Sequence, residues 1–195
     1  MRDIPSLPSD GALLSNCELA ARLVESYQEG GGIGSPDREL PSPPEVCAIL
    51  TLVREILLPG STGTARPRGA LVFSFVEGQL ATLRVKLVQQ LFRGIFYRWP
   101  TAQPDCAQCE SQAVEIASGF LNRIPELRRL ILLDVRAAFE GDPAATGLDE
   151  VVFSYPGLRA VTVYRIAHAL WSLGAQVVPR MMSEQAHAET GIDIH

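Results

Sequence analysis

Residues 127–195 read LRRLILLDVRAAFEGDPAATGLDEVVFSYPGLRAVTVYRIAHALWSLGAQVVPRMMSEQAHAETGIDIH, and the spacing of their apolar residues decides the fold class. Leu127, Leu130, Ile131, Val135, Ala138 and Phe139 recur at three- and four-residue steps, which places them on one face of a helix. Gly141-Asp142-Pro143 ends that helix, because glycine permits the C-terminal turn and proline cannot continue it. Tyr155-Pro156-Gly157 is a further turn, opening a helix from Leu158 to about Leu173. Val163, Ile166, Ala167 and Leu170 form its buried stripe, while Arg165, His168 and Ser172 share another side. Gly174 closes it. Val177 to Glu189 reads as one more helix, stopped by Thr190-Gly191. Ile192-Asp193-Ile194-His195 then alternates apolar and polar like the first residues of a strand.

Working outward toward the N-terminus, three stretches rich in Gly, Pro and Ser punctuate the chain: Gly30 to Pro44, Pro59 to Gly69, and Pro100 to Pro104. They are expected turns or linkers. Between them lie apolar segments of helical length, Ala12 to Gln28, Pro44 to Leu58 and Ala70 to Trp99. In the third, Leu80, Leu83, Leu87, Gln90/Leu91 and Ile95 mark a buried face, with Gly78 and Gly94 as candidate interruptions. Ile116, Phe120, Leu121 and Ile124 precede Pro125, which predicts a helix that ends before the proline or restarts there. The expected fold is mainly α, about six or seven helices with almost no sheet.

Composition narrows the function classes. The chain has 195 residues, 47% of them hydrophobic, enough to bury a core and too apolar for wholesale disorder. Its 17 basic and 22 acidic residues leave a formal charge of -5, which argues against a nucleic-acid surface spread along the chain. No run approaches the roughly 18 apolar residues that suggest a membrane span. The N-terminal MRDIPSLPSDG lacks the apolar stretch of a secretory signal, so the cytoplasm is the expected compartment. Four cysteines are too few for a disulfide scaffold in a chain of this length. Cys106 and Cys109 form a CxxC in a loop-like stretch, a spacing that suits half a zinc site or a redox pair. Cys17, Cys47 and His187 offer no matching second pair, so the thiols read as structural or incidental, with no metal site expected.

Three motifs together carry a family resemblance: D-V-x-A-A-F-x-G-D-P-A-A from Asp134, Y-P-G-L-x-A-x-x-x-Y-R-I-A-H from Tyr155, and T-G-I-D-I-H from Thr190. The segment from about 113 to 195 resembles the C-terminal part of the helical domain of bacterial serine O-acetyltransferases. The resemblance implies three regions. Residues 1–112 correspond to the variable helical N-terminal extension of the longer members, with Gly/Pro-rich linkers. Residues 113–190 correspond to the acetyltransferase-type helical domain. Residues 191–195 correspond to the first stub of a left-handed β-helix, the chain ending just before the hexapeptide repeats. In that family the β-helix carries the acetyl-CoA groove and the catalytic histidine.

The implied reaction moves an acetyl group from acetyl-CoA to the hydroxyl of L-serine, the first step of cysteine biosynthesis. An alkanol is a poor nucleophile at neutral pH, so a positioned histidine must take its proton, and a carboxylate must orient that imidazole. By resemblance Asp193 matches the aspartate that pairs with the histidine base, and Asp142 matches an aspartate that contacts the substrate, through its ammonium group. Their ordinary readings are a solvated strand residue for Asp193 and a turn former or helix cap for Asp142. His168 reads as a surface or packing histidine, His187 as solvated, and His195 as structural at the β-helix entrance. Arg128 and Arg129 read as solvated or interfacial. Acetyl-CoA is expected as co-substrate, with no bound cofactor and no cofactor-binding residue in this chain. The resemblance also implies a homo-oligomer through the helical domains, and a possible contact with cysteine synthase through a tail outside these residues. Neither nucleic acid nor membrane is an expected partner. The isolated chain is expected to be inactive. Two alternatives stand beside this reading: a non-catalytic helical oligomerisation or interaction module, and, ranked lower, a CxxC-based metal or redox protein.

Overall fold

A computed structural model describes residues 14–29, 39–63, 68–98 and 105–194. The chain divides into two units, Met1–Glu39 and Leu40–His195. The first contains α1 (Asn16–Glu29). Ser15 starts it with a capping box: the Glu18 backbone N–H donates to Ser15 Oγ at 3.3 Å, and the Ser15 N–H donates to Glu18 Oε2 at 2.9 Å. Two donors otherwise lost at a helix start are thereby satisfied. Leu19, Leu23, Val24 and Tyr27 on α1 are exposed.

The second unit holds α2 (Pro43–Leu57), α3 (Leu71–Tyr97), α4 (Cys106–Gly141), α5 (Leu148–Ser154), α6 (Pro156–Trp171) and α7 (Val177–Thr190). The chain is mainly α, as its periodicity predicts, and no described residue is in a strand. Residues 192–194, whose alternation suggested a strand, are irregular. A strand needs a neighbour to take its backbone hydrogen bonds, and the helices offer no open edge. His195 lies outside the described residues.

Local chemistry sets most boundaries. Ser42 accepts the Glu45 N–H at the start of α2, and its own N–H donates to the buried Gln90 amide oxygen at 2.8 Å. Past the end of α2, the buried Glu55 carboxylate accepts from Gly60 N at 2.7 Å and from Thr62 Oγ1 at 2.6 Å, tying the following loop to the helix. Asp105 caps α4 by accepting from Ala107 N and Gln108 N, so Cys106 and Cys109 lie on its first turn rather than in a loop. Proline occupies the first turn of α6, where its missing N–H forfeits nothing. Gly191 closes α7 with φ 70°, a left-handed conformation that glycine adopts without a Cβ clash.

Two expected breaks are absent. α3 runs through Gly78 and Gly94, and a Cβ on Gly94 would sit 3.4 Å from Val177 Cβ, so this glycine marks a close approach to α7. α4 runs through Pro125. An interior proline costs about 3 kcal/mol. Here Ile124 and Leu127, on either side of it, are both buried in the core and hold the two halves of the helix to it.

α3 packs on α4 and α6 on α7; α4 meets α6, and α2 lies against α3 and α7. One core results, drawing on Ile49 and Val53 from α2, Leu83 and Leu87 from α3, Phe120 and Ile131 from α4, Ile166 and Leu170 from α6, and Met182 from α7. α2 and α3 thus share a body with the segment from residue 113 onward.

Candidate functional site

Between α4 and α6 the chain turns back on itself, so that Asp142 faces Tyr155, Asp134 faces Arg165 and Arg123 faces Ser172, and Asp142 stands at the start of this connection as the C-cap of α4. Its carboxylate is held at both oxygens. Oδ1 accepts the Ala144 backbone N–H at 2.9 Å, closing a turn over Pro143, and Oδ2 accepts the Tyr155 hydroxyl at 2.6 Å. Tyr155 lies between α5 and α6, half-buried and packed against the core. The rest of the loop is tied down by Glu150, whose Oε2 accepts both Thr146 N (2.7 Å) and Thr146 Oγ1 (2.6 Å). α5 itself was not legible from periodicity, because its seven residues, Leu148–Ser154, make only two turns.

These contacts keep the corner anionic. The Tyr155 hydroxyl and, after it, the Ala144 N–H hold the Asp142 carboxyl below the ordinary carboxylate range. The same bond pushes Tyr155 up to about 12. Thr146 lowers Glu150, with Asp142 opposing as a like charge nearby. The sign of the pH dependence follows. Tyr155 is raised in the folded state, so its contribution to stability is whole below its ordinary value near ~10 and is lost as pH rises through its folded value. Asp142 is depressed, so its contribution is whole above the ordinary carboxylate value and is lost as pH falls through its folded value. Asp142→Asn is expected to bring the Tyr155 ionisation back toward its ordinary value. Tyrosinate absorbance titrations, with Tyr155→Phe subtracted to isolate that ring, measure it. An unshifted curve would mean that the phenol does not bond to this carboxylate.

Asp193 sits on a different element, in the exposed segment after α7, next to Ile194. Ile194 borders a cleft of about 1150 Å³ lined also by Tyr97, Tyr164, His168, Trp171 and Arg180. His168 is exposed on α6 and stacks with Tyr164 (centroids 5.6 Å apart) and Trp171 (6.1 Å), the surface packing expected of it. Arg165, on the same helix, makes a two-point pair with Asp134 at 2.5 and 2.7 Å that joins α6 to α4. Arg123 donates to Ser172 Oγ at 2.5 Å. His187 is exposed, and Arg129 is exposed in a pair with Glu126. Cys109 is buried, which pushes its thiol up and away from the reactive thiolate, while Cys106 is exposed. Among the described residues no group of three or more His, Cys, Asp or Glu side chains could hold a metal ion. Among the same described residues no helix is long and apolar enough to cross a membrane. Sequence reasoning missed Tyr155 and Glu150; the first stood inside the Y-P-G motif and was read only as a turn.

Fold and corner together define an all-α domain whose anionic interhelical turn can receive a cation. In sequence and in fold the chain is similar to serine acetyltransferases. The plasmid-encoded serine acetyltransferase of Synechococcus elongatus is 35% identical over 161 residues, 80% of this chain and 50% of that protein. The serine acetyltransferase of Mycobacterium tuberculosis is 50% identical over 62 residues, 32% of this chain and 27% of that protein. Among solved structures, serine acetyltransferase isoform 3 of Entamoeba histolytica, in complex with cysteine, aligns with a TM-score of 0.61 at 26% identity, covering 91% of this chain and 57% of that one. Native serine acetyltransferase 1 of the same organism aligns with a TM-score of 0.61 at 28% identity, covering 91% and 60%. No family model matches the chain. The chain is a homologue of the serine acetyltransferases, and its helices fit the helical N-terminal domain of that family. It spans half the length of the Synechococcus relative.

Proposed function

We propose that this chain supplies the helical part of a serine O-acetyltransferase and, within it, the contact for the substrate's ammonium group. The reaction forms a bond between the serine hydroxyl oxygen and the acetyl carbon of acetyl-CoA and breaks that carbon's bond to sulfur. The hydroxyl proton passes to a histidine base, and from there to the departing thiolate of coenzyme A. Asp142 is the carboxylate for the ammonium, and Asp193 the carboxylate that orients the base. Residues 113–190 form the acetyltransferase-type helical domain in this reading, with residues 1–112 as its extension and 191–195 as the entrance to the β-helix. L-serine and acetyl-CoA are the substrates, copies of the chain associate through their helical domains, and the compartment is the cytoplasm. The observation that carries the reading is the Asp142 carboxylate, fixed at both oxygens in the motif shared with the family.

The test is L-serine binding to this chain, followed by NMR chemical-shift titration. Asp142→Asn keeps the shape and removes the charge. Bonds to ionised partners are roughly twice as strong as neutral ones, so affinity should fall about ten- to a hundredfold. Asp193→Asn should leave serine binding unchanged, since that carboxylate acts on the base. If Asp142→Asn binds serine like the wild type, Asp142 is only the turn residue that its glycine and proline neighbours suggest.

One observation favours a second reading, a non-catalytic helical interaction module. Leu71 and Phe73 at the start of α3 are 69% and 75% exposed, and Phe153 on α5 is 70% exposed. Apolar exposure of that kind suits a partner surface. Unimpaired serine binding by Asp142→Asn would move the balance to this reading.

A further inference from the structure

We propose that Tyr155 is a positioning residue for the substrate amine, its hydroxyl fixing the Asp142 carboxylate in the orientation that leaves one open acceptor site on each oxygen. The inference rests on the reading of Asp142 as the ammonium contact.

A carboxylate offers about four lone-pair sites. Ala144 N takes one on Oδ1 and the Tyr155 hydroxyl takes one on Oδ2. Two sites remain, one on each oxygen, and an ammonium group brings three donors to meet them. The turn over Pro143 cannot set this geometry alone. It holds a single oxygen, and the terminal torsion of an aspartate is broad, so the second oxygen would swing through solvent. The Tyr155 hydroxyl is the second point of attachment, reaching Asp142 from thirteen positions along the chain.

Tyr155 is itself well anchored. Its backbone N–H donates to Val151 O at 3.3 Å, its carbonyl accepts the Arg159 N–H at 3.2 Å, and its ring packs on the core. The phenol therefore comes from the junction of two helices rather than from the mobile end of a long side chain. Glu150, on α5, locks the intervening loop through Thr146 and adds a second negative charge near Asp142. A cation is favoured at this corner, and an anionic group is not. Tyr155 donates its only proton to Asp142, so its oxygen keeps acceptor capacity alone and gives the substrate carboxylate no donor.

The experiment is a double-mutant cycle on the full 195-residue chain, with L-serine affinity from NMR titration and folding checked by circular dichroism melting. Tyr155→Phe keeps the ring in the core and removes the hydroxyl. It should weaken serine binding by roughly three- to tenfold, because the ammonium contact itself remains and only the hold on the carboxylate is lost, and less than Asp142→Asn. In the Asp142→Asn background, Tyr155→Phe should cost nothing further, because the tyrosine acts only through the carboxylate. A purely structural tyrosine would cost the same in both backgrounds, and that additivity overturns the proposal. So does Tyr155→Phe binding serine at full strength while Asp142→Asn does not, an outcome that leaves the ammonium reading in place. If Asp142→Asn also binds at full strength, both fall together.

Discussion

Residues 1–195 assayed alone are expected to release no coenzyme A from acetyl-CoA in the presence of L-serine. In the proposed reading Asp142 is a carboxylate for the ammonium and Asp193 a carboxylate for an imidazole, and no residue of these helices is assigned as that imidazole. Loss of a positioned general base typically costs about 10²- to 10⁴-fold. Loss of the geometry that holds the thioester against the hydroxyl removes an effective molarity that can reach about 10⁵ to 10⁸ M. The two losses compound, leaving nothing above the uncatalysed rate. Two imidazoles are exposed on the described helices: that of His187 on α7, and that of His168, which is stacked with Tyr164 and Trp171 on α6, the reverse of a base presented to a bound hydroxyl. A thiol-release assay with purified chain is the measurement. Saturable turnover would overturn the roles assigned to Asp142 and Asp193 and require a base inside these helices.

What the sequence made legible was local. The stop at Gly141-Asp142-Pro143, the opening at Tyr155-Pro156 and the glycine closing α7 each follow from backbone chemistry within a few residues, and the structure has all three. What it hid was decided at a distance. Pro125 read as a break because proline forfeits a hydrogen bond, yet burial of Ile124 and Leu127 overrides that local cost. Gly94 read as a weak point in α3, and it is where Val177 of α7 comes close. The resemblance brought out Asp142 and Asp193, but not the partner that makes the first of them a fixed group. That partner, Tyr155, stands in the Y-P-G motif with nothing to mark its role, because a hydroxyl that will meet a carboxylate across a loop looks like any other turn tyrosine.

The fold makes a second large prediction, on stability. Phe120 is fully buried at the middle of α4, among the largest side chains in the core shared by α2, α3, α4, α6 and α7. Truncation to alanine removes the ring's transfer free energy and leaves a cavity that packed helices can only partly close, so Phe120→Ala should destabilise by about 3–5 kcal/mol. Domains of this kind are stable by only about 5–15 kcal/mol, so the loss takes a large share of that margin. Leu133 is the internal control. It lies on the same helix, is 48% exposed, and its replacement by alanine, the best helix former, should stay within about 0.5 kcal/mol. Urea unfolding followed by circular dichroism reads both, with the midpoint moving and the slope unchanged for Phe120→Ala. Equal midpoints for the two variants would mean that α4 does not bury Phe120 against the other helices, and the single core from α2 to α7 would have to be redrawn.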